Sequence, residues 1–295
     1  MNINHLRLLL IISFFIFTFN LNAQQAWTQK KGEGYFQIGS SILSYNSISN
    51  TDFTSQKIPR PITEIILMSY SEYGLSDKLM VTTFLPYHII SNGTLDATWQ
   101  GLIPNEGDLS AMGNINIGLT YSLHQRNGFV LSTRLMTKLN TISNQKNTGL
   151  RTGFNATVIS PYLLAGLGTS KFFTSLETGI DFLTNGYLPR FVFNAQIGTH
   201  LLDSKKLLFI FGISTSTAMG QSSEDDILKL DGLARYTGLY LNEQSYYAAV
   251  LKFGYELDSN WVFWMSAAGG PSKNVGQNAA YSLSVAYKLK KKNGN

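Results

Sequence analysis

The chain contains no cysteine among its 295 residues. That excludes a disulfide framework, a thiolate metal site and an acylated N-terminal cysteine. Charge is scarce too: 14% of residues are Asp, Glu, Lys or Arg, against roughly 25% in a soluble domain. The net charge of +5 is an end effect. With Arg7, Lys288, Lys290, Lys291 and Lys292 set aside, the remaining 18 basic residues balance the 18 acidic ones, so no basic face for nucleic acid is expected. Beyond residue 23 there is no apolar run of the ~20 residues that a membrane-spanning helix needs. With 18 Phe, 15 Tyr and 4 Trp, the chain is also too aromatic to be disordered.

The first 23 residues have a short basic start (His5, Arg7), a mostly apolar run from Leu8 to Phe19, a polar break and the small residue Ala23. This is the anatomy of a cleaved secretory signal peptide. The expected organisation is therefore a signal at 1–23, a short periplasmic lead at 24–33, a β-domain at 34–289 and a basic tail at 290–295.

What the remainder does have is a period of two. Ile115, Ile117, Leu119, Tyr121 and Leu123 alternate with Asn114, Asn116, Gly118, Thr120 and Ser122. Phe191, Phe193, Ala195 and Ile197 alternate with Asn194, Gln196 and Gly198, and Tyr281, Leu283, Val285 and Tyr287 with Ser282, Ser284 and Ala286. One apolar and one polar face is the mark of a strand. Reading outward predicts twelve strands near 34–45, 62–73, 79–90, 113–124, 129–141, 154–166, 172–184, 190–201, 207–219, 245–257, 261–269 and 279–289. The faces of 34–45, 154–166 and 261–269 are mixed.

Connection lengths sort by parity. Joins such as L-S-D-K (75–78), Q-R-N-G (125–128) and D-S-N (258–260) are short, whereas 46–61, 91–112, 142–153, 220–244 and 270–278 are long, with 185–189 the one short member of the second set. Short turns at one end and long loops at the other characterise outer-membrane barrels. In hydrocarbon every backbone polar group must be paired internally, so strands cross only as a closed cylinder. The predicted fold is an all-β transmembrane antiparallel barrel of about twelve strands. Its expected location is the outer membrane of a Gram-negative bacterium, with short turns and both termini in the periplasm.

Energy then sets the faces. A basic side chain facing lipid at mid-bilayer costs ~2–4 kcal/mol, so Arg134 and Lys138 are expected inside, with Leu131, Leu135 and Leu139 outside. The same reasoning places Glu177, Asp181, Lys252 and Glu256 in the lumen. These six residues are the candidates for a lumenal constriction. Tyr35, Tyr45, Tyr73, Tyr87, Tyr121, Trp261 and Tyr287, near strand ends, suit interfacial girdles. Two long loops are candidate gates: 91–112, whose Trp99, Leu102 and Ile103 are unusually apolar for a loop tip, and 220–244, where S-S-E-D-D-I-L-K-L has a helix-start pattern.

Motifs for chemistry are missing. There is no H-E-x-x-H, G-x-S-x-G or G-x-x-x-x-G-K-[ST], so metalloprotease, hydrolase and P-loop readings have no support. His88, His124 and His200 lie on separate strands and read as lumen-facing polar residues, not metal ligands. His88 and Ser91 are the nearest local combination to the Ser and His of an outer-membrane phospholipase, but the phase of the strand points His88 inward, away from a membrane ester. No catalytic, cofactor or metal site is expected.

The start A-W-T-Q-K-K-G-E-G-Y-F, then S-E-Y-G-L-S-D-K-L, T-T-F-L-P-Y and G-D-L-S-A-M-G-N-I-N-I-G-L-T-Y, resembles the outer-membrane transporter family named for the MetA pathway of phenol degradation. The resemblance implies a channel or transporter for small, often hydrophobic or aromatic compounds, and brings no catalytic residue with it. The leading functional expectation is passive passage of a small solute, with the lipid bilayer and the barrel-assembly machinery as partners. The alternatives are a closed barrel with a surface or assembly role and a phospholipase-like hydrolase.

Overall fold

The computed structural model describes residues 26–49, 54–201 and 206–291. Twelve antiparallel strands close into a barrel. They are β1 (Gly34–Ser49), β2 (Ser55–Gly74), β3 (Leu79–Asn92), β4 (Gly107–Met112, resuming at Ile115–Arg126), β5 (Phe129–Leu139), β6 (Val158–Gly168), β7 (Phe172–Leu183), β8 (Arg190–Leu201), β9 (Leu207–Ala218), β10 (Ser245–Glu256), β11 (Trp261–Gly269) and β12 (Ala280–Leu289). Each strand pairs with its sequence neighbours, and β1 closes on β12 from Gly34↔Leu289 to Ile42↔Tyr281. The signal-peptide segment 1–23 and the tail residues 292–295 lie outside the described residues.

The turn chemistry is local. Asn127 and Gly128, both at positive φ (52° and 82°), form the two-residue hairpin between β4 and β5, as N-G between alternating runs demands. Proline explains the irregularities. Pro86 has no N–H to give, and opposite it the partner strand breaks into a bulge at residues 113–114, where a proline is tolerated. The register of β1 against β2 likewise shifts between Tyr45 and Ser47, opposite I-P-R-P at 58–61. Beyond this shift the two strands continue to Ser49 and Ser55. The expected 46–61 loop is therefore mostly a ribbon projecting from the long-loop end.

The outer wall is apolar all round. Phe36, Ile38, Leu67, Leu85, Ile117, Leu135, Leu163, Leu176, Phe191, Ile213, Phe253, Met265 and Leu283 are exposed, a belt such as a lipid-facing surface requires. Trp261 and Tyr287 meet at the short-turn rim with tilted rings, centroids 4.9 Å apart. Two girdle expectations are corrected. Tyr35 and Tyr45 are buried in the lumen, because Phe36, Ile38 and Ile42 take the outer face of β1 and alternation sends the tyrosines in. His124 is corrected the other way. A register shift between Ser122 and His124 pairs it with Leu131, on the outer face beside Phe129.

Candidate functional site

Inside the barrel the strands enclose a chamber of about 260 Å³. Its wall is a hydrogen-bonded relay of side chains from five strands. Arg134 on β5 donates from Nε to Thr120 Oγ1 on β4 (2.9 Å) and from Nη1 to Glu177 Oε2 on β7 (2.8 Å). Asn194 Nδ2 on β8 donates to the other Glu177 oxygen (3.2 Å) and takes a hydrogen bond from Ser214 Oγ on β9 (2.6 Å). One turn of the wall away, Lys138 Nζ meets Asp181 Oδ2 at 2.6 Å, and Tyr162 donates to the same carboxylate. Arg134, Glu177 and Asp181 are buried at 4–5% exposure, and charges so buried are retained only when paired in this way. Both ion pairs join β5 to β7 across the inward face of β6, so they brace one side of the lumen and do not span it.

The six expected lumen residues are thus distributed unequally. Arg134, Lys138, Glu177 and Asp181 form one cluster. Lys252 is buried, with Nζ 4.1 Å above the Trp264 ring. Glu256 sits at the short-turn rim, bound to Lys288 at 2.8 Å, and does not border the chamber.

The short-turn end is closed by two layers. Tyr35, Tyr70, Phe84 and Trp264 form an apolar cluster with Leu208 and Ile210 from the facing wall. Trp264 Nε1 donates to Tyr35 Oη (3.0 Å), which donates to Gln37 Oε1 (2.7 Å). The segment before β1 enters the mouth at this end. Ala26 is fully buried and its carbonyl accepts from Ser132 Oγ at 2.6 Å. Gln29 Nε2 donates to the buried Glu72 at 2.8 Å. The Trp27 ring lies on β6 where two glycines leave room: a Cβ on Gly166 would fall 2.7 Å from it.

The long-loop end is roofed by the segment between β9 and β10. Ser223 caps α1 (Glu224–Leu230), accepting from Asp226 N, so the predicted helix start is borne out. After a 3-10 turn at Gly232–Tyr236 the chain dives into the barrel. Leu239 and Tyr240 line the chamber, and Tyr240 holds a left-handed φ of 52°, a conformation that bulky residues adopt only under constraint. Its ring meets His88 and Phe154 edge-on at 6.1 and 5.5 Å. Beneath it His88 Nδ1 lies 2.7 Å from Glu64 Oε1. Thus His88 is in the lumen and engaged, while Ser91 is on the other face of β3.

Arg151 anchors this lid. Its side chain is 1% exposed and reaches Asp231 Oδ1 (3.1 Å), the carbonyls of Leu230 (3.1 Å) and Leu239 (2.8 Å), and Tyr187 Oη (3.2 Å). Tyr45 Oη adds a bond to the Thr237 carbonyl at 2.6 Å. The other candidate gate stays outside: Leu102 and Ile103 are 59% and 43% exposed, and Trp99 rests edge-on against Tyr236 of the lid at 6.0 Å. Of the three, Trp99 is the one with an aromatic partner, while Leu102 and Ile103 face outward.

Sequence reasoning missed Arg151, Asp231, Trp27, Tyr240 and Arg190, which lines the chamber and donates to Ser216 Oγ at 2.9 Å and the Gln244 carbonyl at 2.5 Å. Arg190 was within reach, since it shares the even-numbered phase of Asn194 and Gln196 on β8. The other four lie outside the barrel strands, where period two has no purchase. Among the described residues no group of three or more His, Asp or Glu is arranged to hold a metal ion.

No family model and no curated protein sequence matches the chain. Solved structures do. The COG4313 outer membrane channel from Pseudomonas putida F1 superposes with a TM-score of 0.65 at 12% identity, over 91% of this chain and 99% of that one. The β domain of the Bordetella autotransporter Brka gives a TM-score of 0.50 at 9% identity, over 88% and 100%. At such identities the likeness is one of fold: this is a barrel of the bacterial outer-membrane type.

Proposed function

We propose that the protein is a passive channel for small, apolar or aromatic compounds, closed in the form described. The observation that carries this reading is the chamber itself, a hollow between lid and floor whose wall alternates paired charges with Tyr70, Phe84, Phe154, Tyr162, Tyr240 and Tyr246. Apolar walls with a few fixed polar groups are how proteins hold small ligands. The fold shared with the Pseudomonas channel and the motif resemblance to the MetA-pathway transporters support it. In this reading residues 1–23 export the chain, the barrel-assembly machinery inserts it, and the apolar belt places it in the outer membrane. The Arg134–Glu177 and Lys138–Asp181 pairs narrow the lumen from one side, whereas Lys252, against Trp264, belongs to the floor and Glu256 to the rim. Passage down a gradient needs no cofactor.

Liposome swelling with solutes graded in size and polarity tests the proposal. Slow flux favouring small apolar solutes is expected from the intact protein, rising several-fold in Tyr240→Ala, which empties the roof. The double closure also suits the rival reading, a sealed barrel with a surface role. Absence of flux from both proteins would establish that rival instead.

A further inference from the structure

A second cavity, of about 390 Å³, opens on the long-loop end between the β1–β2 ribbon and the lid, and shares no lining residue with the chamber. Its floor is aliphatic, with Ile58 and Leu241 both buried. One wall is aromatic, formed by the edge-to-face pair Trp99 and Tyr236.

Its charges are unequally committed. Asp231 is taken by Arg151 and by the Asn242 amide (3.1 Å). Glu243 accepts from Lys273 Nζ (3.0 Å) and Ser222 N (2.6 Å). Lys57 leans on Asp96 at 3.4 Å at the exposed rim. Arg235 differs. Its guanidinium lies 4.8 Å from the Tyr236 ring centroid, with Nη2 on the Tyr236 hydroxyl at 2.9 Å. Nε is buried without an acceptor, and no carboxylate among the described residues lies within ion-pairing distance. The unmatched charge in the cleft is therefore positive, delocalised and planar, and it sits beside two aromatic rings over an aliphatic floor.

We propose that this cleft is a binding site for a small aryl carboxylate, with the carboxylate on Arg235 and the ring against Trp99 and Tyr236. A guanidinium presents paired donors that match carboxylate geometry, and offset or edge-on aromatic contacts add to the burial of the ring. The volume falls within the ~300–1,000 Å³ usual for small-molecule pockets. The site goes beyond the channel reading, because it opens on the outer side of the docked lid and shares no lining residue with the chamber.

Benzoate is the probe, titrated calorimetrically into the full-length protein folded in detergent, with the uncharged isostere benzamide in parallel. Saturable benzoate binding is expected, with benzamide at least ~10-fold weaker, since removing a charge-assisted hydrogen bond at such a site moves affinity by one to two decades. Arg235→Gln should weaken benzoate by a similar factor and Trp99→Leu by several-fold, each variant keeping the strand signal of the parent in circular dichroism. The benzoate–benzamide comparison needs no variant, so it stands even where a substitution disturbs the loop. Three results would each overturn the proposal: no saturation by the intact protein, equal affinity for the two probes, or unaltered benzoate binding by Arg235→Gln. None of them bears on flux, which the swelling assay reads separately.

Discussion

Arg134 shows how one side chain organises the lumen. The cost of a charge in lipid puts it inside, and the structure surrounds it with Thr120 and Glu177 at hydrogen-bond distance. Removing one member of a buried pair leaves the other uncompensated, at a cost of about 3–5 kcal/mol, whereas replacing both with apolar groups is often neutral. Arg134→Ala should therefore lower the urea midpoint of the detergent-folded barrel markedly, and Arg134→Met with Glu177→Leu should restore most of it. Equal losses in the single and double variants would show that the pair is not what the wall depends on. Gly166 makes the opposite point, since its missing Cβ is what admits the Trp27 ring.

Among the elements, the loops separate by what each can bury. Segment 93–106 holds its shape through Arg60, which binds the Pro104 and Gly93 carbonyls at 3.0 and 2.8 Å, and remains at the surface. The lid between β9 and β10 buries Leu239, Leu241 and Asp231. Deleting 94–108 should leave conductance in planar bilayers unchanged, and replacing 232–242 with a short Gly-Ser linker should raise it. The reverse pattern would reassign the gate.

The lid also carries a pH dependence. Burial holds the Asp231 carboxyl above the ordinary carboxylate range, outweighing the pull of Arg151 and the Asn242 amide. A released lid would hydrate Asp231 and return it to about 3.9, so the docked lid binds a proton more readily. Docking is then favoured most below the ordinary value, and that advantage is lost as pH rises through the raised one. Flux should fall as the pH is lowered toward ~4 and recover on return to neutral. An increase on acidification would remove Asp231 from the closing mechanism.

For the molecule as a whole, one alternation serves two solvents. Alternate positions along the strands part into an apolar outer belt and an interior that mixes paired charges with buried aromatic and aliphatic side chains, and among the described residues β1 and β12 meet to close the sheet. Both ends of the hollow are stopped: the short-turn end by the strand cluster of Tyr35, Tyr70, Phe84 and Trp264 with the Ala26–Glu33 stretch beyond it, and the other end by the lid. The chamber between them is what a transported solute would occupy.

The sequence by itself determined the barrel. Period-two patterning, turn residues and the parity of loop lengths are local signals, so β8 and β11 begin and end where the pattern predicts and Arg134, Lys138, Glu177 and Asp181 fall on the predicted face. It also located the start of α1, because an N-cap is written in adjacent residues. Only the tertiary structure decided what fills the hollow. Whether Trp27, Arg151 or Tyr240 turns inward depends on partners more than thirty residues away, such as Gly166, Asp231 and Glu64, and on room that exists only once the cylinder has closed. No spacing along the chain encodes a meeting of that kind.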